Sequence, residues 1–377
     1  MQIYIHIPFC RAKCKYCAFN SIVAENNLIE KYVSALCIEI EKNSSFEKKE
    51  KISTIYIGGG TPSILKINQF AKIFDTLNKN FNLSECNEIT VEVNPGTVNE
   101  FFLRELKNLR VNRLSIGVQS FDNNVLKTIG RIHNSNEAIE IVNAAKNIFE
   151  NVSIDLMYEL PNQNLKILCS TIETAIKLNP KHISIYELEI EEGTEFFRRR
   201  EELNLPNDDE GEEMYNLITN ELPKHGFNRY EISNFAKRGF ESRHNLGYWS
   251  DEKYFGLGAG AHSYNHSLRW SNVKNVNEYI EKIFTNEEIK IVEEILTKEK
   301  SVEEFCFLSL RKSIGINKKL FRKKFGVEIE KIYSKKIDML IRQELIKNSN
   351  EHIKLTERGM KYGNYVFAEF LLVDMKI

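Results

Sequence analysis

No apolar run in the 377 residues approaches the roughly 20 needed to cross a bilayer as a helix, so no membrane span is expected. Charge of one sign is not in excess either. Fifty-two basic side chains stand against 53 acidic ones, and a net charge of −1 provides no global field toward nucleic acid or an anionic membrane. Residues 1–8 lack both a charged n-region and a long apolar h-region, which excludes an ordinary secretory signal and makes the cytoplasm the expected compartment. No solenoid period or long flexible linker stands out, so the parts of the chain are expected to pack together. Cysteines number seven, an odd count, whereas a disulfide framework wants an even set in a small secreted chain. Cys37, Cys86, Cys169 and Cys306 are scattered singly among apolar neighbours and read as buried small hydrophobes.

What the sequence does contain is a rhythm. Short β-rich runs stand at 3–7, 54–58, 88–93, 113–118, 152–157 and 182–188, and between them lie stretches of helical period, at 29–40, 67–78, 99–109, 123–129 with 136–148, and 167–177. Alternation of this kind predicts parallel βα units. Six such runs resemble most of a (β/α) barrel with ligand groups at the C-terminal ends of the strands, and a doubly wound open sheet is the alternative. After residue 188 the rhythm changes. Residues 191–211 are charged and loop-rich, 227–255 aromatic and polar, and 256–264 rich in glycine. Helical patterns at 302–313, 318–325 and 329–343 precede two short strands, 345–348 and 352–355, around Ser349-Asn350-Glu351, an order that resembles a winged helix. The expected units are therefore 1–190, a barrel core; 191–297, barrel completion and lid; and 298–377, a C-terminal α+β winged-helix-like domain.

The remaining three cysteines stand together in Cys10-Arg11-Ala12-Lys13-Cys14-Lys15-Tyr16-Cys17, on a loop directly after the first strand. Soft thiolates select zinc, Cu(I) or iron–sulfur clusters. A structural zinc site wants a fourth ligand and usually a second paired CxxC, and none is present. A [4Fe–4S] cube closed by four cysteines has no vacancy, whereas three leave one iron open to an exogenous ligand. A zinc knuckle and chance clustering are the competing readings. The CxxxCxxC spacing after a first strand resembles the radical S-adenosylmethionine (SAM) superfamily. That resemblance implies a partial (β/α)6 radical SAM barrel, a [4Fe–4S] cluster on Cys10, Cys14 and Cys17, and SAM chelating the fourth iron before reductive cleavage to a 5′-deoxyadenosyl radical.

Other polar residues fall at strand ends. Gly58-Gly59-Gly60-Thr61-Pro62 closes the second strand; its glycines allow close backbone approach to a ligand, with a plain tight turn as the bland alternative. Glu92 ends the third strand, Gln119 the fourth, Arg131 follows one short helix later, and Asp155 lies in the fifth strand. Each could be a satisfied polar core residue; four around one predicted barrel mouth read better as a ligand site. With Tyr4-Ile5-His6-Ile7-Pro8-Phe9-Cys10, Gly117-Val118-Gln119-Ser120-Phe121, Gly130-Arg131 and Asp155-Leu156-Met157-Tyr158, they resemble the oxygen-independent coproporphyrinogen III oxidase family over nearly the whole chain. The resemblance implies Tyr4 beside the cluster, contacts to SAM from Gly59, Gly60, Thr61 and Glu92, and positions at Gln119, Arg131 and Asp155 that touch a second SAM in the oxidases.

Within that family three features resemble the haem-chaperone (HemW-like) branch. The oxidases follow the third cysteine with x-Cys, where this chain has Cys17-Ala18-Phe19. The oxidases extend an N-terminal arm into the site, whereas this sequence starts three residues before Tyr4 and is expected to lack that arm. Arg243-His244-Asn245-Leu246-Gly247-Tyr248-Trp249 is similar to the HNxxYW motif of the chaperones. His244 is then a candidate haem ligand, with Tyr248 and Trp249 stacking on the porphyrin; the alternative is that His244 and Asn245 only hydrogen-bond a loop that lids the barrel. His133, His262 and His266 are weaker candidates, and His6 packs beneath the cluster loop. Two positions depart from the pattern: Glu159 stands where glycine is usual, and Ala18 replaces a common aspartate. The expected cofactors are the [4Fe–4S] cluster, SAM and haem. The expected partners are a haem acceptor such as a respiratory cytochrome and an electron donor for the cluster, with peripheral membrane association through the acceptor and no nucleic acid. Oxidative decarboxylation of coproporphyrinogen III to protoporphyrinogen IX is the enzymatic alternative. RNA modification is a third reading, motivated by the basic run Lys318–Lys324 on the tail.

Overall fold

The computed structural model describes residues 1–47 and 50–372; the last five residues of the expected C-terminal unit lie outside it. Six parallel strands form its centre: β1 (Gln2–Ile7), β2 (Thr54–Gly59), β3 (Glu88–Val93), β4 (Arg113–Gln119), β5 (Asn151–Tyr158) and β6 (His182–Glu187). They pair in unbroken sequence order, β1 on β2 through to β5 on β6. A doubly wound sheet must reverse its strand order at a switch point, and none occurs among these six, so the barrel alternative is the one adopted.

The helices between the strands are α1 (Asn26–Glu47), α2 (Ile67–Asn80), α3 (Glu100–Asn108), α4 (Asn123–Thr128), α5 (Ser135–Ile148) and α6 (Leu165–Leu178). Local chemistry marks their starts. Asn99, Asp122, Asn134 and Asn164 each accept a hydrogen bond from a backbone N–H of the first turn, and Glu137 completes a capping box with Asn134. Strand residues alternate by face. Ile3, Ile5, Ile7, Ile55, Ile57, Val91, Leu114, Ile116 and Ile154 join the main apolar core together with helix residues such as Phe70, Leu103 and Val142. The opposite face carries Tyr56, Glu92, Arg113, Ser115, Asp155 and Ser184, and these line a cavity.

The segment after β6 adds strands that the sequence rhythm did not reveal. Asn234–Ala236 (β8) extends one edge antiparallel to β6, and Asn228–Arg229 (β7) pairs antiparallel to β8 outside it. Tyr254–Leu257 (β9) runs parallel to β1 on the other edge, followed by antiparallel His262–Tyr264 (β10), Leu268–Asn272 (β11) and Lys290–Ile295 (β12). Between them come α7 (Asp208–Lys224), α8 (Arg243–Trp249) and α9 (Val276–Thr285). The C-terminal unit has a separate core around Phe305, Phe321, Tyr333, Ile337 and Phe370. It runs α10 (Lys298–Arg311), β13 (Ile316–Asn317), α11 (Lys318–Phe325), α12 (Ile329–Arg342), β14 (Ile346–Asn348), β15 (His352–Leu355), α13 (Glu357–Lys361) and α14 (Gly363–Ala368). Three helices and a hairpin were expected; the third strand β13 and the last two helices were not. No helix among the described residues is long and apolar enough to cross a membrane.

Two expectations about side chains change here. Cys37 and Cys306 are buried, but Cys86 and Cys169 are only partly so. The basic run on α11 is largely neutralised by carboxylates, Lys318 by Glu330 at 2.5 Å, Lys319 by Glu351 at 3.5 Å, Arg322 by Glu328 at 2.8 Å, and Lys324 by Asp251. That pairing leaves little of the positive surface that contact with phosphates requires.

Candidate functional site

The loop carrying Cys10, Cys14 and Cys17 leaves the C-terminal end of β1 and crosses the mouth of the barrel. It is fastened from below and from the side. Phe9–Cys10 pairs with Ile22–Val23, the Lys15 N–H reaches Ile129 O at 3.1 Å, and the Thr61 N–H reaches Phe9 O at 2.7 Å. His6 sits underneath, with Nε2 at 2.8 Å from Asn20 O and Nδ1 at 2.9 Å from the Tyr4 hydroxyl. Gly59 has φ +115°, and a Cβ there would meet the His6 ring at 2.6 Å. At Gly60 a Cβ would lie 2.7 Å from Phe9 O and 3.0 Å from Cys10 Sγ. The glycines of this turn therefore permit a close approach of strand end and thiol loop that no larger residue allows.

A hydrogen-bonded chain joins two of the thiols. Thr61 Oγ1 donates to Cys10 Sγ at 3.5 Å and accepts from Asn94 Nδ2 at 2.8 Å. Asn94 Oδ1 in turn accepts from Arg131 Nη2, whose guanidinium also donates to Gly117 O and, through Nη1, to Cys14 Sγ at 3.5 Å. Arg131 Nε is buried without a partner. A cation and a hydroxyl aimed at sulfur suit thiolates, whose negative charge they offset.

All three cysteines line one cavity of about 1160 Å³, together with Gly59, Gly60, Thr61, Glu92, Gln119, Arg131 and Asp155. Glu92 accepts from the Tyr56 hydroxyl at 2.7 Å and the Gly59 N–H at 3.1 Å, yet enclosure by the barrel pushes its carboxyl up to about 7. Asp155 is raised by the same desolvation, with Ser115 Oγ bridging both its oxygens at 3.0 and 3.1 Å. Gln119 adopts φ +69° beside a break in the β4–β5 register, a backbone strain found where a side chain is re-aimed into a site. Tyr4 stands one layer deeper, stacked on Tyr56 at 6.2 Å. Sequence reasoning passed over Arg113, Asn94 and Tyr56. Arg113 is 2 % exposed inside the barrel, where burial opposes its charge but Glu88, Tyr56, Tyr230 and Asp155 outweigh it. An arginine opening an otherwise apolar parallel strand was the available signal, because such a residue needs an anionic partner.

Glu159 lines the same cavity at φ +59°, a left-handed conformation that glycine adopts at less cost than glutamate. Its carboxyl packs against Gly211 at the start of α7, and desolvation, then Glu187 and Asp208, lift it to about 7.

His244 is not at the mouth. Helix α8 closes the opposite, N-terminal end of the strands: Gln2 Nε2 donates to His244 O at 2.9 Å, and the His244 N–H donates to Glu88 at 3.1 Å. Only 1 % exposed, the imidazole has Nδ1 at 2.8 Å from Thr54 Oγ1 and Nε2 at 3.0 Å from the Tyr248 hydroxyl. Desolvation, then the nearby Arg113 charge, hold it near 3, so it is neutral. Both ring nitrogens are engaged, and neither has a lone pair turned toward an iron. The expected haem contact is therefore corrected, and so is the lid: this motif forms the floor of the barrel. Tyr248 packs edge-on against Tyr254, and one face of Trp249 is covered by the Arg311 guanidinium at 4.5 Å. His133 is buried against Val118 O, His262 pairs with Glu293 at 3.1 Å, and His266 faces solvent; no histidine lines the mouth cavity among the described residues.

Among the described residues no three His, Cys, Asp or Glu side chains converge on one metal ion. A cluster does not ask for that, because its cysteines bind three different irons. Three thiols on one loop, flanked by donors and facing a cavity with no fourth cysteine, fit a cluster with an open corner better than a closed zinc site.

Comparison with known proteins bears on the same loop. The Radical SAM superfamily description matches residues 4–175, and the HemN C-terminal domain matches residues 296–362. A protein of Lactococcus lactis named heme chaperone HemW is 40 % identical over 99 % of this chain and 97 % of its own length. The Bacillus subtilis protein of the same name is 40 % identical over 98 % of both chains. The solved structure of Escherichia coli coproporphyrinogen III oxidase (HemN), a radical SAM enzyme, superposes with a TM-score of 0.87 over 98 % of this chain and 89 % of that one; its identity of 22 % speaks for the fold alone.

Proposed function

Because the chain belongs to the HemW family of haem chaperones within the radical SAM superfamily, we propose that it binds haem and delivers it to an acceptor protein, with a [4Fe–4S] cluster and SAM at its barrel mouth. The observation that carries the proposal is the conjunction of three thiols, an arginine–asparagine–threonine chain joining two of them, and full-length likeness to proteins of that name. Cys10, Cys14 and Cys17 are the proposed iron ligands. The cluster, when bound, supplies the electron that splits SAM into methionine and a 5′-deoxyadenosyl radical.

The surrounding residues have distinct work. Gly59 and Gly60 bring backbone against the thiol loop, and Thr61 with Arg131 offsets thiolate charge. Glu92 offers a carboxylate to an ammonium group, with Tyr56 and the Gly59 N–H fixing its orientation. Gln119, Arg131 and Asp155 form the wall opposite. The cavity is roomy enough to hold more than one small ligand, and the C-terminal unit contributes Met360–Asn364 to its rim. Since His244 is sealed in the floor, haem is held without it. The acceptor, a respiratory cytochrome in this reading, and a separate electron donor approach from outside, with any membrane association passing through the acceptor. The expected compartment remains the cytoplasm.

Anaerobic reconstitution tests this directly. Native protein is expected to take up four irons and four sulfides per chain, change its spectrum on adding SAM, and bind haem that a washed acceptor then removes. Incubation with coproporphyrinogen III, SAM and a reductant is expected to yield no protoporphyrinogen IX; its formation would overturn the chaperone assignment in favour of the oxidase.

A further inference from the structure

We propose that a file of tyrosine and histidine rings, running from the cavity wall through the barrel floor to the surface, is a one-electron relay that drains oxidising equivalents out of the barrel. It rests on the radical chemistry proposed above, because only a strong oxidant takes an electron from a tyrosine.

The file is continuous. Tyr56 lines the cavity and stacks between Tyr4 at 6.2 Å and His244 at 5.1 Å. His244 meets Tyr248 at 4.9 Å, Tyr248 meets Tyr254 at 4.8 Å, Tyr254 meets Tyr264 at 5.8 Å, and Tyr264 meets His266 at 5.4 Å. The His266 side chain is 40 % exposed, so the file ends in solvent on the far side of the molecule from the thiol loop. Ordinary core packing does not require rings of this one kind in single file, since aliphatic residues fill such space equally well.

A second observation concerns protons. A phenol that loses an electron becomes a strong acid, and it is a usable relay only if a base beside it takes the proton and gives it back. Tyr4 pairs with His6 Nδ1 at 2.9 Å, Tyr56 donates to Glu92 at 2.7 Å, Tyr248 pairs with His244 Nε2 at 3.0 Å, and Tyr264 donates to Asp251. Tyr254 is the exception, held by Arg269 instead. Tyr158 and Tyr279 also have carboxylate partners, but their rings do not join the file.

The electron count closes as follows. A carbon-centred radical that finds no proper hydrogen donor takes the phenolic hydrogen of Tyr56: a C–H bond forms and the O–H bond breaks. An electron then passes inward from Tyr248 through His244 while Glu92 reprotonates Tyr56 and draws a proton from cavity water. The Tyr248 proton rests on His244 and returns when Tyr254 passes an electron. Tyr254, with Arg269 rather than a base beside it, keeps its own proton and is refilled at once by Tyr264, whose proton rests on Asp251 until the next electron arrives. At the outer end a cellular thiol gives up one electron and one proton, and two thiyl radicals join as a disulfide. The net change is reduction of the carbon radical by thiol, without damage to the interior.

The test uses anaerobically reconstituted full-length protein with SAM and reductant but no haem or acceptor, so that radicals form without a target. Freeze-quench EPR follows tyrosyl radical, and 5′-deoxyadenosine is measured in the same samples. Native protein is expected to show a transient tyrosyl signal whose decay glutathione accelerates. Tyr248→Phe and Tyr254→Phe keep the ring but cannot be oxidised, and in them the signal is expected to decay about tenfold more slowly and to ignore glutathione. Peptide mapping should then find oxidation concentrated near Tyr56. Tyr333→Phe, in the C-terminal core, should behave as native. Equal decay in native protein and both file variants, or no tyrosyl signal while 5′-deoxyadenosine accumulates, would overturn the relay alone. Absence of 5′-deoxyadenosine would overturn the radical reading and the relay with it.

Discussion

Replacing His244 by alanine separates a structural floor from a haem ligand, because the two roles predict different losses. The substitution strips partners from the Thr54 and Tyr248 hydroxyls, both enclosed, and empties a space stacked on one side by Tyr56. An unsatisfied buried polar group costs about 1–3 kcal/mol, and a cavity adds to that. The combined loss is about 3–4 kcal/mol, near the top of what single substitutions do. For a chain of 377 residues, at about 2.1 cal/mol/K of unfolding entropy per residue, each kcal/mol lowers Tm by about 1.3 °C, so a fall of about 4–5 °C is expected. Thermal unfolding followed by circular dichroism measures it. In parallel, haem titration at a temperature where both proteins are folded should show the same Soret position and stoichiometry in native and variant protein. A Soret band that shifts or vanishes while Tm stays within 2 °C of native would refute the floor assignment and restore the histidine as a ligand.

Three further outcomes are expected. Gly60→Ala, whose Cβ meets Phe9 O and Cys10 Sγ, should cut iron retention severely, whereas Gly193→Ala, with open space around it but φ +85°, should cost about 1 kcal/mol of stability and leave iron content unchanged. Arg131→Leu removes the donor to Cys14 and strands Asn94; iron and sulfide analysis should show a cluster that forms but is lost faster on chelator challenge, with Thr61→Val giving a milder version. Glu39 is buried in α1 and held near 7 by desolvation, even though Tyr279, Gly258 and Asn272 all donate to it. Its folded value is raised, so its stabilising contribution is complete below the ordinary carboxyl range near 4.5 and is lost as pH rises toward 7. Denaturant titrations of native protein and Glu39→Gln should therefore differ by an amount that falls by up to about 1.4 kcal/mol per pH unit across that window, and a pH-independent difference would contradict the assignment.

The alternation of apolar and polar residues in 113–118 and 152–157 was readable because a strand sorts its side chains by parity, and each strand faces helices on one side and the cavity on the other. The cysteine loop was equally plain, since three thiols within eight residues need no distant partner to be noticed. Glu92 and Gln119 could be gathered from their strand ends, and Asp155 from its place in the neighbouring strand, because parallel strands in a barrel bring corresponding positions together. Arg113 escaped notice because its partners come from β2, β3 and β5, and its meaning appears only when the strands close around it.

Local sequence thus determined the βα rhythm, the thiol loop and the polar residues at the mouth, all of which depend on spacings of a few residues. Only the tertiary structure decided that the His244 helix seals the floor and that a further strand, Tyr254–Leu257, lies beside β1. The placement of the helix depends on Gln2, Thr54 and Glu88, between 156 and 242 residues away in sequence, offering hydrogen bonds at the N-terminal ends of their strands. A seven-residue helix carries no signal of which end of a barrel it will close; that choice is made by the buried partners waiting there.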